Sequence, residues 1–216
     1  YLSRCCMRIL ARISYDGSKF MGFQRLENGK GVQNELERVL SILAKKEVVI
    51  KGAGRTDAGV HALNQVAHFD IPYHLSNESM RKALNSILPL DILIKKAELV
   101  DSDFHARYSA HNKTYRYRVD QGEFVNPFKR NYTAHFKYPL DLTLMRKAAK
   151  NFIGEHDFTS FVASGSQAKS NVRTVYKIDI KRDKLRNEVV FDFTGNGFLY
   201  NQIRIMVAFL LEIGSK

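Results

Sequence analysis

The sequence predicts an α+β fold of two tandem α/β sandwich halves with mostly antiparallel sheets, and three observations carry that reading. Strand-like and helix-like segments follow one another as β-α-β-β-α-β over about the first 95 residues, the split-βαβ order. The second half shows a similar but less regular series. Hydrophobic residues make up 44% of the chain and charged residues 26%, ordinary globular composition, and no stretch approaches the roughly 18 apolar residues that span a bilayer.

The elements can be justified in order. Residues 8–15 alternate, placing Ile9, Ala11, Ile13 and Tyr15 on one face, as a half-buried strand does. Residues 16–31 contain Gly17, Gly22, Gly29 and Gly31 and read as a long loop. From Val32 the stripe Val32, Leu36, Val39, Leu40 and Leu43 predicts an amphipathic helix. Residues 47–51 predict a short strand, 52–59 a glycine-rich loop and 62–71 another strand. Ser76 is the expected N-cap of a helix through Met80, Leu84 and Leu88, which Pro89 ends. Residues 91–99 close the unit as a strand.

In the second half, residues 111–120 form a strand with Lys113, Tyr115, Tyr117 and Val119 on one face. A helix follows with Leu142, Met145, Ala149 and Phe152 on its buried side. Residues 174–181 and 188–193 predict a hairpin, and a last helix from about Leu199 buries Ile203, Met206, Val207 and Leu210. The halves are therefore expected at residues 7–105 and 106–216. Met7 stands directly before the first strand, so residues 1–6 are expected to be extraneous.

Charge narrows the partner. Lys and Arg number 34 against 22 Asp and Glu, a formal charge of +12. With no long basic block, that surplus points to a folded basic surface facing a polyanion, nucleic acid first, with merely solvated lysines as the bland alternative. The two cysteines, Cys5 and Cys6, are adjacent and build neither a disulfide scaffold nor a four-ligand zinc site. Residues 1–6 do not open a secretory signal, which leaves the cytoplasm as the expected compartment.

The densest unusual stretch is residues 52–61, Gly-Ala-Gly-Arg-Thr-Asp-Ala-Gly-Val-His. It is no dinucleotide fingerprint, because the third glycine would fall at Asp57, and no P-loop, because no Gly-Lys-Ser/Thr follows. What remains is Arg55 and Asp57 on a tight loop between two strands. A carboxylate beside a guanidinium stays ionised, which suits a nucleophile or a base rather than a general acid. A loop-stabilising Asp turn paired with Arg is the alternative. His156 and Asp157 lack companion ligands for a metal and read as a structural turn.

Residues 54–62, Gly-Arg-Thr-Asp-Ala-Gly-Val-His-Ala, resemble the catalytic loop of the tRNA pseudouridine synthase A (TruA) family. Residues 15–24 (Tyr-Asp-Gly-Ser-Lys-Phe-Met-Gly-Phe-Gln) resemble its first loop, and 83–92 its mid-domain helix end. Residues 104–107 with 113–117 resemble its central strand region, and 154–158 and 197–204 complete the set in family order. Phe23 stands where the family usually has Trp, and Gln202 where it usually has Met. Family members usually continue past the last helix into a closing segment with a further strand, so an uncovered sheet edge is expected there.

The resemblance implies a pseudouridine synthase fold, two ferredoxin- or RRM-like halves, and isomerisation of uridine to pseudouridine in tRNA, typically in the anticodon stem-loop. It implies that Asp57 attacks the anomeric carbon or removes a neighbouring proton, with Arg204 paired to it. Arg55 would fill the space left by a flipped-out nucleotide or hold that nucleotide. Tyr115 would stack on the uracil and assist proton removal from carbon 5. Lys113, Arg116, Arg118, Lys169 and Arg173 are expected to meet phosphates; His61, His68, His105 and His111 read as loop or RNA-facing groups. No cofactor, metal or membrane is expected, and the partners implied are tRNA and a second copy of the chain. The competing class is a non-catalytic RNA-binding protein with two sheet platforms, which has no need of Arg55-Thr56-Asp57 on a glycine-rich loop. A nucleoside hydrolase would want a second carboxylate, and only Asp70 is near in sequence.

Overall fold

The computed structural model describes residues 6–216, so the expectation for residues 1–6 falls, Cys6 apart, outside the described residues. The chain divides into two units, the first ending at Ala110 and the second running from His111 to Lys216.

The first unit runs β1 (Met7–Tyr15), α1 (Val32–Ala44), β2 (Lys51–Gly52), β3 (Ala62–Ile71), α2 (Asn77–Ile87) and β4 (Ile92–Val100). Its sheet has the order β2-β3-β1-β4 with every pair antiparallel, which is the split-βαβ topology. Ile9, Ala11, Ile13 and Tyr15 share one core with Val32, Leu36, Val39 and Leu40 of α1 and Met80 and Leu84 of α2. Ser76 caps α2 by accepting from Ser79 N at 3.2 Å.

The strand expected over residues 47–51 shortens to Lys51–Gly52. Val48 and Ile50 are buried as the alternation requires, but their amides donate to side chains of α1, Val48 N to Ser41 Oγ at 3.0 Å and Ile50 N to Glu37 Oε1 at 3.1 Å. A donor spent on a helix side chain is lost to the sheet ladder.

His68 departs from the reading as a loop or RNA-facing group. It sits on β3, 2% exposed, with its Nδ1 accepting from Ala106 N at 3.1 Å and its ring edge-on to His105 at 4.6 Å. The segment after β4 is thereby tied to the sheet face that the helices do not cover, helped by Arg8, which donates to the carbonyls of Ser102 and Phe104. Burial, then the neighbouring His105 and Arg8, push the His68 pKa down to about 4. The folded state therefore keeps His68 neutral while the unfolded chain, titrating near 6.5, takes up a proton; stability falls as pH drops from about 6.5 to 4. The expected loss is up to about 3 kcal/mol. His68→Asn, which keeps an acceptor near the Nδ1 position and does not titrate, should flatten that slope in urea melts across this window; an unchanged slope contradicts the assignment.

The second unit contains β5 (Lys113–Asp120), β6 (Ala134–His135), α3 (Leu142–Ala149), β7 (Gly154–Asp157), β8 (Val172–Asp183), β9 (Glu188–Gly195) and α4 (Gln202–Gly214). The sheet order is β6-β5-β9-β8-β7, antiparallel except for the short β5–β6 pair at Val119 and Asp120. Val189, Phe191 and Phe193 of β9 form the core with Val175 and Ile180 of β8, Met145 of α3 and Met206, Val207 and Leu210 of α4. The strands β6 and β7 have no counterpart in the sequence reading, because two and four residues are too few to show a period. His156 and Asp157 lie on β7 and satisfy local groups: His156 Nε2 bonds Ile153 O at 2.9 Å, and Asp157 Oδ1 accepts from Thr159 N at 3.0 Å.

Candidate active site

Two loops of the first unit present Asp57. The loop after β1 and the loop between β2 and β3 are joined by backbone hydrogen bonds on either side of Asp57: Phe23 N donates to Thr56 O at 3.0 Å and Gly59 N to Phe20 O at 3.1 Å. The Thr56 and Tyr15 hydroxyls are 2.8 Å apart in a hydrogen bond, and Gln65 Nε2 donates to Gly54 O at 2.8 Å. Val60 N closes a turn onto Asp57 O at 3.1 Å. Phe23, 3% exposed, lies against Gly52 and Tyr15. The main chain is thus pinned on both sides of the acid, and the Asp57 side chain is exposed. Within its own unit that carboxylate has no hydrogen-bond or ion-pair partner among the described residues.

Arg55 does not pair with Asp57 as the spacing suggests. Its guanidinium lies on the Gln24 amide; with that amide assigned so that its oxygen faces the guanidinium, the oxygen accepts from Nε at 3.0 Å and Nη2 at 3.3 Å. The cause is the loop junction itself: the Phe23–Thr56 bond sets the residue after Phe23 beside the residue before Thr56. His61 Nδ1 accepts from Gly17 N at 3.0 Å, a further tie between the same loops.

In the second unit Tyr115 lies on β5 opposite Phe193, half-buried, its ring edge-on to Phe198 at 5.4 Å. Arg204 lies in the first turn of α4 and is exposed, while Met206, Val207 and Leu210 of the same helix are buried. Gln202 is fully buried and polar, with Oε1 accepting from Leu199 N at 2.8 Å, so it orders the helix start in addition to packing. Of the basic residues expected to meet phosphates, Arg116 makes two 2.8 Å bonds to Asp192 and Arg118 one of 2.7 Å to the buried Glu188. Arg173 donates to Ser170 O and Val172 O at 2.8 and 2.6 Å, and burial lowers its pKa. Lys113 is half-buried on β5 and Lys169 exposed on the loop before β8.

The first unit offers a main-chain-clamped carboxylate. Taken by itself, the second offers a half-buried phenol and a helix-borne guanidinium. No group of three or more metal-ligating side chains occurs among the described residues, and no helix there is long and apolar enough to cross a membrane. Gln24 and Thr56 are builders of the site that sequence reasoning misses, although both lie inside stretches whose motifs stand out.

The class of this chain, an RNA-modifying isomerase, comes from comparison with known proteins. The profile of the tRNA pseudouridine synthase family matches residues 11–109 and 148–216. The tRNA pseudouridine synthase A of Limosilactobacillus reuteri (strain DSM 20016) is 77% identical over 206 residues, covering 94% of this chain and 80% of that protein. Its counterpart in Limosilactobacillus fermentum is 62% identical over 205 residues, with the same coverage. That of Ligilactobacillus salivarius is 53% identical over 210 residues, covering 96% of this chain and 82% of the relative. The chain belongs to the tRNA pseudouridine synthase family.

Proposed function

We propose that the chain isomerises uridine to pseudouridine in the anticodon stem-loop of tRNA, with the Asp57 carboxylate acting on the ribose of an extruded nucleotide. The observation that carries this reading is the clamp on Asp57, an exposed acid whose neighbours Thr56 and Gly59 are both hydrogen-bonded to the preceding loop. Isomerisation requires breaking the carbon–nitrogen glycosidic bond, turning the held uracil and forming a carbon–carbon bond. An anionic oxygen fixed near the sugar can attack the anomeric carbon or take the adjacent proton. Extruding the base costs a few kcal/mol, which contacts to the flipped nucleotide must return.

Arg204 pairs with Asp57 and orients it; Arg55 holds or replaces the flipped nucleotide; Tyr115 stacks on the uracil and its hydroxyl assists loss of the carbon-5 proton. Lys113, Lys169 and Arg173 meet phosphates, as do Arg116 and Arg118 by sharing their carboxylate-bound guanidinium groups. The working form is a cytoplasmic homodimer. The test is incubation with tRNA tritiated at carbon 5 of uridine: release of tritium to water, with pseudouridine in the product, is expected. Tight tRNA binding with no release contradicts the enzyme and favours a non-catalytic RNA-binding protein.

A further inference from the structure

Helix α1 reaches both loops of the Asp57 site through one carboxylate. Glu37, 8% exposed, accepts from Arg25 Nε at 2.7 Å and Nη2 at 2.9 Å, from Gln33 Nε2 at 2.9 Å and from Ile50 N at 3.1 Å. Arg25 belongs to the loop after β1; Ile50 directly precedes β2, which leads into the Asp57 loop. Gln33 doubles the link, accepting from Arg25 N at 3.0 Å, donating its main-chain N–H to Phe23 O at 2.8 Å and reaching Ile50 O at 3.1 Å. Between Phe23 and Arg25 stands Gln24, whose amide lies against the Arg55 guanidinium and, with its oxygen assigned to that side, accepts from it.

A frame of this kind does more than fill hydrogen bonds. Burying a carboxylate is costly, and four donors offset that cost here. A neutral amide at position 37 can still accept from Ile50 N, but only the anion grips a guanidinium through two charge-assisted bonds. Arg25, in turn, is half exposed, so its fixed direction comes from Glu37 and not from packing.

We propose that Glu37 is a positioning residue of the isomerisation site, acting through Arg25 and Gln24 to aim Arg55. This rests on the reading of Arg55 as the group that holds or replaces the flipped nucleotide. That step follows tRNA docking, so loss of aim lowers kcat and leaves KM for tRNA nearly unchanged.

The test compares the wild-type chain, Glu37→Gln, Gln24→Ala and the double variant in steady-state tritium release from uridine-labelled tRNA, with melting curves alongside. Each single variant should lose about tenfold in kcat, with KM within about twofold. The double variant should be no slower than the slower single one, because both act on the same guanidinium. Unchanged kcat in Glu37→Gln, losses that multiply in the double variant, or activity that falls only in step with melting temperature overturns the proposal. Should Glu37→Gln fail to fold, Arg25→Met removes the same link from the exposed side, and the same drop and the same non-multiplication with Gln24→Ala are expected; an unchanged rate overturns it. No release by the wild-type chain defeats the functional reading and this inference together, whereas an active wild type with any contrary result defeats the inference alone.

Discussion

Gly22→Ala is expected to destabilise the first unit by roughly 3 kcal/mol and to remove most of the isomerase activity. Gly22 has φ +99°, a conformation that side-chain-bearing residues adopt only under strain, and a Cβ there would stand 2.7 Å from the carbonyl oxygen of Thr56. That carbonyl receives the Phe23 amide, one of the two bonds that clamp the loop around Asp57. The added methyl therefore pushes directly on the clamp, and neither side can yield cheaply because both are main chain. Gly59→Ala is the control. Its φ is +74° as well, yet a Cβ added there would meet no atom within 4 Å, so only the backbone strain of about 1 kcal/mol applies. Urea melts and tritium release on the two variants check this; equal losses would show that the close approach to Thr56 is unimportant.

Much of this architecture is legible in the chain. The alternation Ile9, Ala11, Ile13, Tyr15 gives β1 its buried face, and the Val32, Leu36, Val39, Leu40 stripe gives α1, because burial on one face imposes a period that survives in sequence. The loop holding Asp57 is legible for another reason: few loops need so many glycines around an acid. Contacts between segments distant in sequence are not. Arg116 meets Asp192 and Arg118 meets Glu188 only because β5 and β9 pair in one register. Residues 48 and 50 alternate as a strand should, but their donors go to Ser41 and Glu37, a choice made by helix packing. His68 is hidden by a segment far downstream in sequence, through the bond from Ala106. Arg55 turns to Gln24 because two loops are stitched together, which spacing within one loop does not encode.

Replacing Asp57 by Asn should abolish catalysis while sparing the fold. The side chain is exposed and unbonded within its unit, so the exchange of one oxygen for an amide nitrogen removes no packing and no hydrogen bond there. Melting should stay within about 4 °C of wild type, since the one contact the exchange weakens is the proposed ion pair with Arg204, both partners being exposed within their own units. The neutral amide, however, neither attacks an anomeric carbon nor accepts a proton at neutral pH, and removal of a single essential group costs roughly 10⁴–10⁶-fold.

Binding should survive as well, since phosphate contacts from the basic surface supply most of the affinity for RNA. The decisive measurement is single-turnover tritium release from uridine-labelled tRNA by Asp57→Asn beside wild type, with tRNA affinity determined on the same preparations. Release by wild type, loss of at least about 10⁴-fold in the variant and matched affinities are the predicted result. Release by Asp57→Asn at a rate near that of wild type would contradict the account, because the acid on the clamped loop would then not be the group that acts on the ribose.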